Sequence, residues 1–363
     1  MSVRCYFIPK HIEDRICEHN KDVASNPVGI SLAPKTSNIS NELRSLRQDV
    51  KPEVQDQKIS SRLGKNYVYT AKNRQRQPGG LIADSMNEAT ASKDPNAICA
   101  WVLSDYFLRF CRDILGRSSF DGRNADIKST VHYYVCYNNA FFDGTQMVYG
   151  DGDGKIFEDF AQDPSVVFHE LWHGVTDRTC GLLYHDQAGA LNESLSDVFA
   201  SIIMQWMNGE TVDEASWLIG ERCFIDSHNV TSNPNGISQA YALRSLIDPG
   251  TAFVNHPYIG TDDQPQDMDH FDSSNEDNGG VHKNSGITNH AFYLFAKSVG
   301  GFSWDIPCKI WYKTITTPGL ISPNCTFVEF AQATLTSATD LYSSTQPIII
   351  DKLRRAWSLV KIL

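Results

Sequence analysis

Asp163-Pro164, followed by the run VVFHELWHGVTDRTC, constrains this chain more than any other stretch. An Asp at the N-cap and a Pro at the first helical position start a helix. The apolar run predicts that it continues to Gly181, a usual stop signal. Residues four apart stand one above the other on a helix face, so His169 and His173 can present two imidazoles to one point. That spacing suits a zinc ion, and Glu170, one residue round, can reach a water at the metal without being a ligand. A catalytic zinc needs a third protein ligand and an open fourth position.

Candidates for the third ligand separate the classes of such sites. One class needs Gly at 176 and His at 179, where this chain has Thr176 and Thr179, so it is excluded. The other takes a Glu from the next helix, and ALNESLSD (190–197) supplies one. Leu191, Leu195, Val198, Phe199 and Ile202 form that helix's apolar stripe, while Glu193 and Asp197 share another face. Glu193 is the expected ligand, and Asp197 is placed to accept a hydrogen bond from a ligand imidazole and fix its tautomer.

The remaining chain sets bounds on this reading. Its 363 residues suggest two domains, or two with an appendage. With 43 acidic against 32 basic residues the net charge is −11, which disfavours nucleic acid and anionic membranes as partners. No apolar run is long enough to span a bilayer, and the N-terminus lacks the apolar core of a signal peptide, so synthesis in the cytoplasm is expected. Nine cysteines without a Cys-x-x-Cys pair read as reduced, mostly buried thiols. Ile8, Ile12 and Ile16 mark an N-terminal amphipathic helix, and the polar stretch 25–62 reads as a weakly structured linker. A hairpin with a Pro-Gly-Gly turn is expected over 66–84, a helix over 95–115, strands over 131–137 and 146–149, and mainly helix from Asp163 onward.

HELWH, followed nineteen residues later by Glu193 within NESLSD, resembles the thermolysin family of zinc endopeptidases. YNNAFFDGTQMVYGDGDG (137–154), ALRSLIDP (242–249) and DNGGVHKNSG (277–286) are similar to further active-site segments of that family, in the same order. The resemblance implies an α+β, two-domain zincin: a β-rich N-terminal domain over 51–182 that includes the metal helix, and a helical domain over 183–363. It implies zinc held by His169, His173 and Glu193, with Glu170 as general base and then acid. By the same likeness His282 and Tyr184 donate to the oxyanion, Asp277 orients His282, and Asn192 and Asp197 support the ligand imidazoles. Arg244 matches the arginine on the substrate carbonyl after the cleaved bond, and Asn139 and Ala140 match the edge strand that pairs with substrate backbone. The pocket beyond that bond maps to Phe157, Phe160, Val166, Ile219 and Leu243, which implies cleavage before Leu, Phe, Ile or Val, with the bulk of Phe160 narrowing it.

Two departures accompany the likeness. The family's double calcium site maps to Ser165, Met204, Ser216, Leu218 and Glu221, so four of five carboxylates are missing and the site is expected to be absent. Asp151-Gly-Asp153-Gly lacks later acidic ligands and reads as a turn. The start, CYFIPKHIEDRICEH, is similar to the short propeptide of the protealysin-like branch, though Lys10 stands where that branch has a second Pro. Residues 1–50, with an end between 40 and 60, are then a propeptide, and the product is a self-processing zymogen. A Cys5 thiolate capping the zinc is weighed and not adopted, since eight other cysteines need no such role. Polypeptide substrates, the chain's own propeptide and a protein inhibitor are the implied partners, with a monomer and non-classical export expected. The reading set against this one is a binding or inhibitory protein that keeps the zinc but has lost catalysis; intact Glu170, Tyr184 and His282 argue against it.

Overall fold

The computed structural model of the chain describes residues 5–23, 64–225, 231–232, 238–239 and 241–363. The whole of the expected linker (25–62) and the end of the expected propeptide lie outside them. In chain order the elements are β1 (Cys5–Tyr6), α1 (Lys10–Val23), β2 (Asn66–Arg74), β3 (Gly80–Ala83), α2 (Met86–Ser92), α3 (Pro95–Asp113), β4 (Ile127–Tyr133), β5 (Ala140–Phe142) and β6 (Met147–Tyr149). Then follow α4 (Pro164–Asp177), α5 (Asp186–Asn208), β7 (Leu218–Ile219), β8 (Thr231–Ser232), β9 (Ser238–Gln239), β10 (Arg244–Ser245), α6 (Asp277–Val299), α7 (Ile306–Thr316), α8 (Phe327–Tyr342) and α9 (Ile348–Leu359). Among these, no helix is long and apolar enough to cross a membrane.

The expected hairpin is β2–β3, and Asp94 caps α3 by accepting from the backbone of Asn96 and Ala97. A six-stranded sheet runs in the order β1-β5-β6-β4-β2-β3, parallel across β6-β4-β2 and antiparallel elsewhere. Its edge nearest the helical half is completed by β1, which reaches β5 from a distance of some 130 residues in sequence. Of the two expected strands, the second is β6 and the first is displaced. The first is β4, which ends at Tyr133, because His132, Tyr134 and Cys136 take positive φ of 56°, 58° and 51° and break the pleat. His132 is drawn out of register by Asp151 and Asp94, 2.9 Å from each.

Helix α4 forms the floor between sheet and helical half. Every residue from Pro164 to Thr176 is buried, which is why its sequence is apolar all round rather than on one stripe. Trp172 stacks on Phe199 of α5 at 3.6 Å, locking the two helices. The helix ends at Asp177 rather than at Gly181; Thr179 Oγ1 donates to Val175 O and the Gly181 N–H to Thr176 O, so the last carbonyls are satisfied by a turn. α5 packs on α6, and α7, α8 and α9 close the helical half around Trp311 and Trp357.

Candidate active site

His169 and His173 lie on one face of α4 with their Nε2 atoms 3.0 Å apart, and Glu193 of α5 brings carboxylate oxygens to 3.4 and 3.6 Å of them. All three are buried, and among the described residues they form the one group of three or more potential donors that converges on a point. Their outer atoms are tied down. His169 Nδ1 faces Asp197 Oδ1 at 2.8 Å, while His173 Nδ1 faces Asn192 Oδ1 at 2.9 Å and Ser196 Oγ at 3.1 Å. Donation through Nδ1 turns both Nε2 lone pairs inward, the geometry of a metal-binding imidazole pair.

The electrostatics favour a cation there. Burial works against charge on His169, yet hydrogen bonding to Asp197 and Glu193 carries it up to about 9. Glu193 Oε2 is buried and faces His169 Nε2 at 3.4 Å and His282 Nε2 at 3.5 Å, so it is placed to ligate. Two imidazoles and one carboxylate suit zinc, and no other group among the described residues competes for it.

Glu170, one position from His169, is buried, and neither carboxylate oxygen finds an ordinary hydrogen-bond partner. Burial raises its acid to about 8, a range suited to taking and giving a proton near neutrality. Opposite it, His282 Nδ1 sits 2.9 Å from both Asp277 oxygens, and Tyr184 Oη is 3.2 Å from His282 Nε2. Burial disfavours the imidazolium at 282, and Asp277 and Glu193 outweigh it, so the value is raised. Asp277 can reach back because Asn278, Gly279 and Gly280 are left-handed at the start of α6. A Cβ on Gly279 would lie 2.3 Å from Asp186 Oδ1, so this turn requires glycine. Tyr184 also donates to Glu193 Oε1.

Arg244, on β10, is 2 % exposed and grips Asp197 with two bonds of 2.8 Å. Its third nitrogen donates to the Phe7 carbonyl at 3.0 Å, and the guanidinium lies 4.6 Å over the Phe7 ring. Phe7 also meets Phe160 edge-on at 6.4 Å and His169 at 5.2 Å. Gly220 keeps this corner open: a Cβ there would come 2.9 Å from Leu243 and 3.1 Å from Phe7. Ile219 pairs with Arg244 beside it. Phe157 packs behind Phe160 and against Phe224, and Val166 is buried in the first turn of α4. Asn139 and Ala140 meet the same segment: the Phe7 N–H donates to Ala140 O at 3.1 Å, and the Ile8 N–H to Asn139 Oδ1 at 2.8 Å.

The description "Thermolysin metallopeptidase, catalytic domain" matches residues 37–177, and "Thermolysin metallopeptidase, alpha-helical domain" matches 180–362. This chain belongs to the thermolysin family of metallopeptidases. It is 39% identical over 297 residues to an extracellular metalloprotease of Pectobacterium carotovorum subsp. carotovorum, covering 81% of this chain and 80% of that one. Against protease PrtS of Photorhabdus sp. (strain Az29) the identity is 38%, over 79% of this chain and 74% of the relative. Thermolysin from Alicyclobacillus acidocaldarius subsp. acidocaldarius is 37% identical over 82% of this chain, which spans only 50% of that protein. The precursor of protealysin, a metalloproteinase from Serratia proteamaculans, superimposes with a TM-score of 0.81 at 34% identity, over 99% of this chain and 100% of that one. The chain is accordingly a metalloendopeptidase, and the family's catalytic zinc fits the His169, His173 and Glu193 cluster.

Several contributors escaped the sequence reading. Asn289 Nδ2 donates to Asp197 Oδ2 at 2.9 Å; it lies seven residues after His282, two turns along the same helix face, a spacing that could have flagged it. Ser196, beside Asp197, carried no separate signal. Phe7 and Glu13 escaped altogether. Glu13, only 2 % exposed on α1, accepts from Asn139 Nδ2 at 2.8 Å. The side chain of Cys5 lies outside the described residues.

Proposed function

We propose that this chain is the self-processing precursor of a zinc endopeptidase that cuts before bulky apolar residues, with residues 1–50 as propeptide and 51–182 and 183–363 as the two enzyme domains. The observation that carries the reading is the seating of Phe7: its ring occupies the apolar corner by Phe160 and Leu243 while Arg244 holds its carbonyl. A side chain of that kind, held there, is what a substrate would present after the cleaved bond. The own N-terminus thereby blocks the cleft, and α1 fastens it, with Ile12 and Ile16 buried and Arg15 donating to Ile259 O and Thr261 O.

His169, His173 and Glu193 would hold zinc, which would supply a Lewis acid for the scissile carbonyl and lower the pKa of a water. Glu170 takes a proton from that water as it attacks and passes it to the leaving amine. His282 and Tyr184 donate to the developing oxyanion, with Asp277 keeping the imidazole charged and oriented. Asn139 and Ala140 align the substrate backbone, and Arg244 fixes the carbonyl beyond the cut. Asp197 and Asn192 hold the ligand imidazoles in their tautomers. An extracellular site of action belongs to this reading, in line with the name of the Pectobacterium relative.

Intact-mass spectrometry of zinc-loaded protein tests it. Wild type should shed its first 40–60 residues and then digest casein, and a chelator should stop both. The Glu170→Ala protein should stay full length until a trace of active enzyme is added. Equal trimming of that variant alone, in a protease-free preparation, would overturn the zymogen.

A further inference from the structure

The N-terminal segment does more than fill the cleft. Three of the groups read above as acting on substrate, His282, Ala140 and Arg244, touch the two residues flanking a single peptide bond. Before the bond, the Tyr6 carbonyl accepts from His282 Nε2 at 2.7 Å. After it, the Phe7 N–H donates to Ala140 O, the Phe7 carbonyl accepts from Arg244, and the Phe7 ring fills the apolar corner. One residue on, the Ile8 N–H and C=O both meet the Asn139 amide, at 2.8 and 3.3 Å. The strand runs antiparallel to β5 and so adds to that sheet edge as an extended peptide can.

We propose that Tyr6–Phe7 is itself a self-cleavage site, distinct from the cut that frees the enzyme; this rests on the zymogen reading above. Water oxygen bonds to the Tyr6 carbonyl carbon and the C–N bond to Phe7 breaks. Glu170 passes both water protons in turn to the Phe7 nitrogen, leaving a Tyr6 carboxylate and a Phe7 ammonium. The cut does not by itself open the cleft. α1 still anchors Phe7 through Ile12, Ile16 and the Arg15–Asp263 pair at 3.0 Å, and Glu13 still holds Asn139. The new amine therefore stays beside Ala140 O and can reseal on Tyr6, so cut and intact precursor coexist, as in inhibitors that are slow substrates.

The experiment is denaturing intact-mass spectrometry with N-terminal sequencing of the zinc-loaded full chain over time at several protein concentrations. Chains beginning at Phe7 should accumulate at a rate independent of concentration, since the bond is already in place, and should be absent from Glu170→Ala and Phe7→Asp proteins. In Glu170→Ala protein, hydrogen exchange should find the Phe7 and Ile8 amides protected, and Asn139→Ala should lift protection at Ile8. If residues 2–6 stay attached to Phe7 while the chain is still cut between 40 and 60, this inference falls and the zymogen stands. If casein is digested with no self-cleavage anywhere, both fall. Chains starting at Phe7 in the Glu170→Ala protein, a concentration-dependent rate or an unprotected Phe7 amide would each overturn the assignment.

Discussion

The floor of the cleft and the segment that fills it are built on opposite principles. The floor joins α4 and α5, neighbours in the chain, through side chains buried on all sides: His169, His173, Glu193, Asp197 and Trp172 are at most 1 % exposed. The N-terminal segment meets residues 131, 237 and 276 positions away, through a two-residue strand, a few backbone bonds and one aromatic side chain. The first arrangement is part of the buried core, whereas the second, on the zymogen reading proposed above, leaves and exposes the site. The two regions meet at one side chain, Arg244, whose Nε and Nη2 hold Asp197 while its Nη1 holds the Phe7 carbonyl.

The largest effects should come from the floor. Glu193→Ala should lose both zinc and peptidase activity, because it removes one of three ligands. Glu170→Ala should keep about one zinc per chain yet lose activity by about 10⁴-fold, the upper range for general acid–base groups. Metal analysis beside a peptide assay separates the two; loss of zinc in Glu170→Ala would show that this carboxylate is a ligand.

The same contrast explains what the sequence disclosed. The floor is written in helical spacing: four between the histidines within an apolar run, and four between Glu193 and Asp197 beside an apolar stripe. Caps at Asp94 and Asp163 announce their helices because a side chain satisfies adjacent backbone donors. The docking of Phe7 has no such local signature, since its register is set by Ala140, Asn139 and Arg244 from distant parts of the chain. The strand expected at 131–137 erred for a related reason: Tyr, Val and Cys favour strands, but His132 answers to Asp94 and Asp151, and the backbone turns left-handed to satisfy them.

Removing an aromatic ring from each region would sharpen the comparison. Trp172→Ala, taken out of its stack on Phe199, should destabilise the fold by about 3–5 kcal/mol. Phe7→Ala should instead leave the melting temperature of the enzyme domains nearly unchanged and raise precursor activity on a short peptide. Loss of a buried aromatic anchor of about 2 kcal/mol corresponds to roughly 30-fold. A precursor as silent as wild type after Phe7→Ala would mean that α1, not Phe7, closes the cleft.

A smaller effect should follow pH. His132 is held at about 9, first by its hydrogen bond to Asp151, then, against partial burial, by Asp94. A histidine raised on folding contributes stability that is full below its unfolded value near 6.5 and is lost as pH climbs through 9. With the side chain 26% exposed and solvent screening both ion pairs, about 1–2 kcal/mol is expected. His132→Ala should therefore lower the melting temperature at pH 6 and differ little from wild type at pH 10. An equal penalty at both would assign the side chain to packing.

The smallest effect is expected from calcium, at the end of the floor where the family's double site maps. Ser165 Oγ donates to Asp163 Oδ1 at 2.6 Å and accepts from the Gly220 N–H at 2.8 Å, while Asp163 Oδ2 accepts from Arg222 and Cys223. Backbone and hydroxyl donors thus meet the oxygens that start α4, joining it to the loop after β7. Calcium needs six to eight oxygens, and of Ser165, Met204, Ser216, Leu218 and Glu221 only the last has a carboxylate. An ion present at 100 times its dissociation constant would add about 2.7 kcal/mol, several degrees of melting temperature in a protein of this size. Thermal unfolding of the zinc-loaded Glu170→Ala protein should shift by no more than about 1 °C between a calcium-selective chelator and excess calcium. A rise of about 5 °C that Glu221→Gln removes would mean that one carboxylate, helped by backbone carbonyls, still assembles a site there.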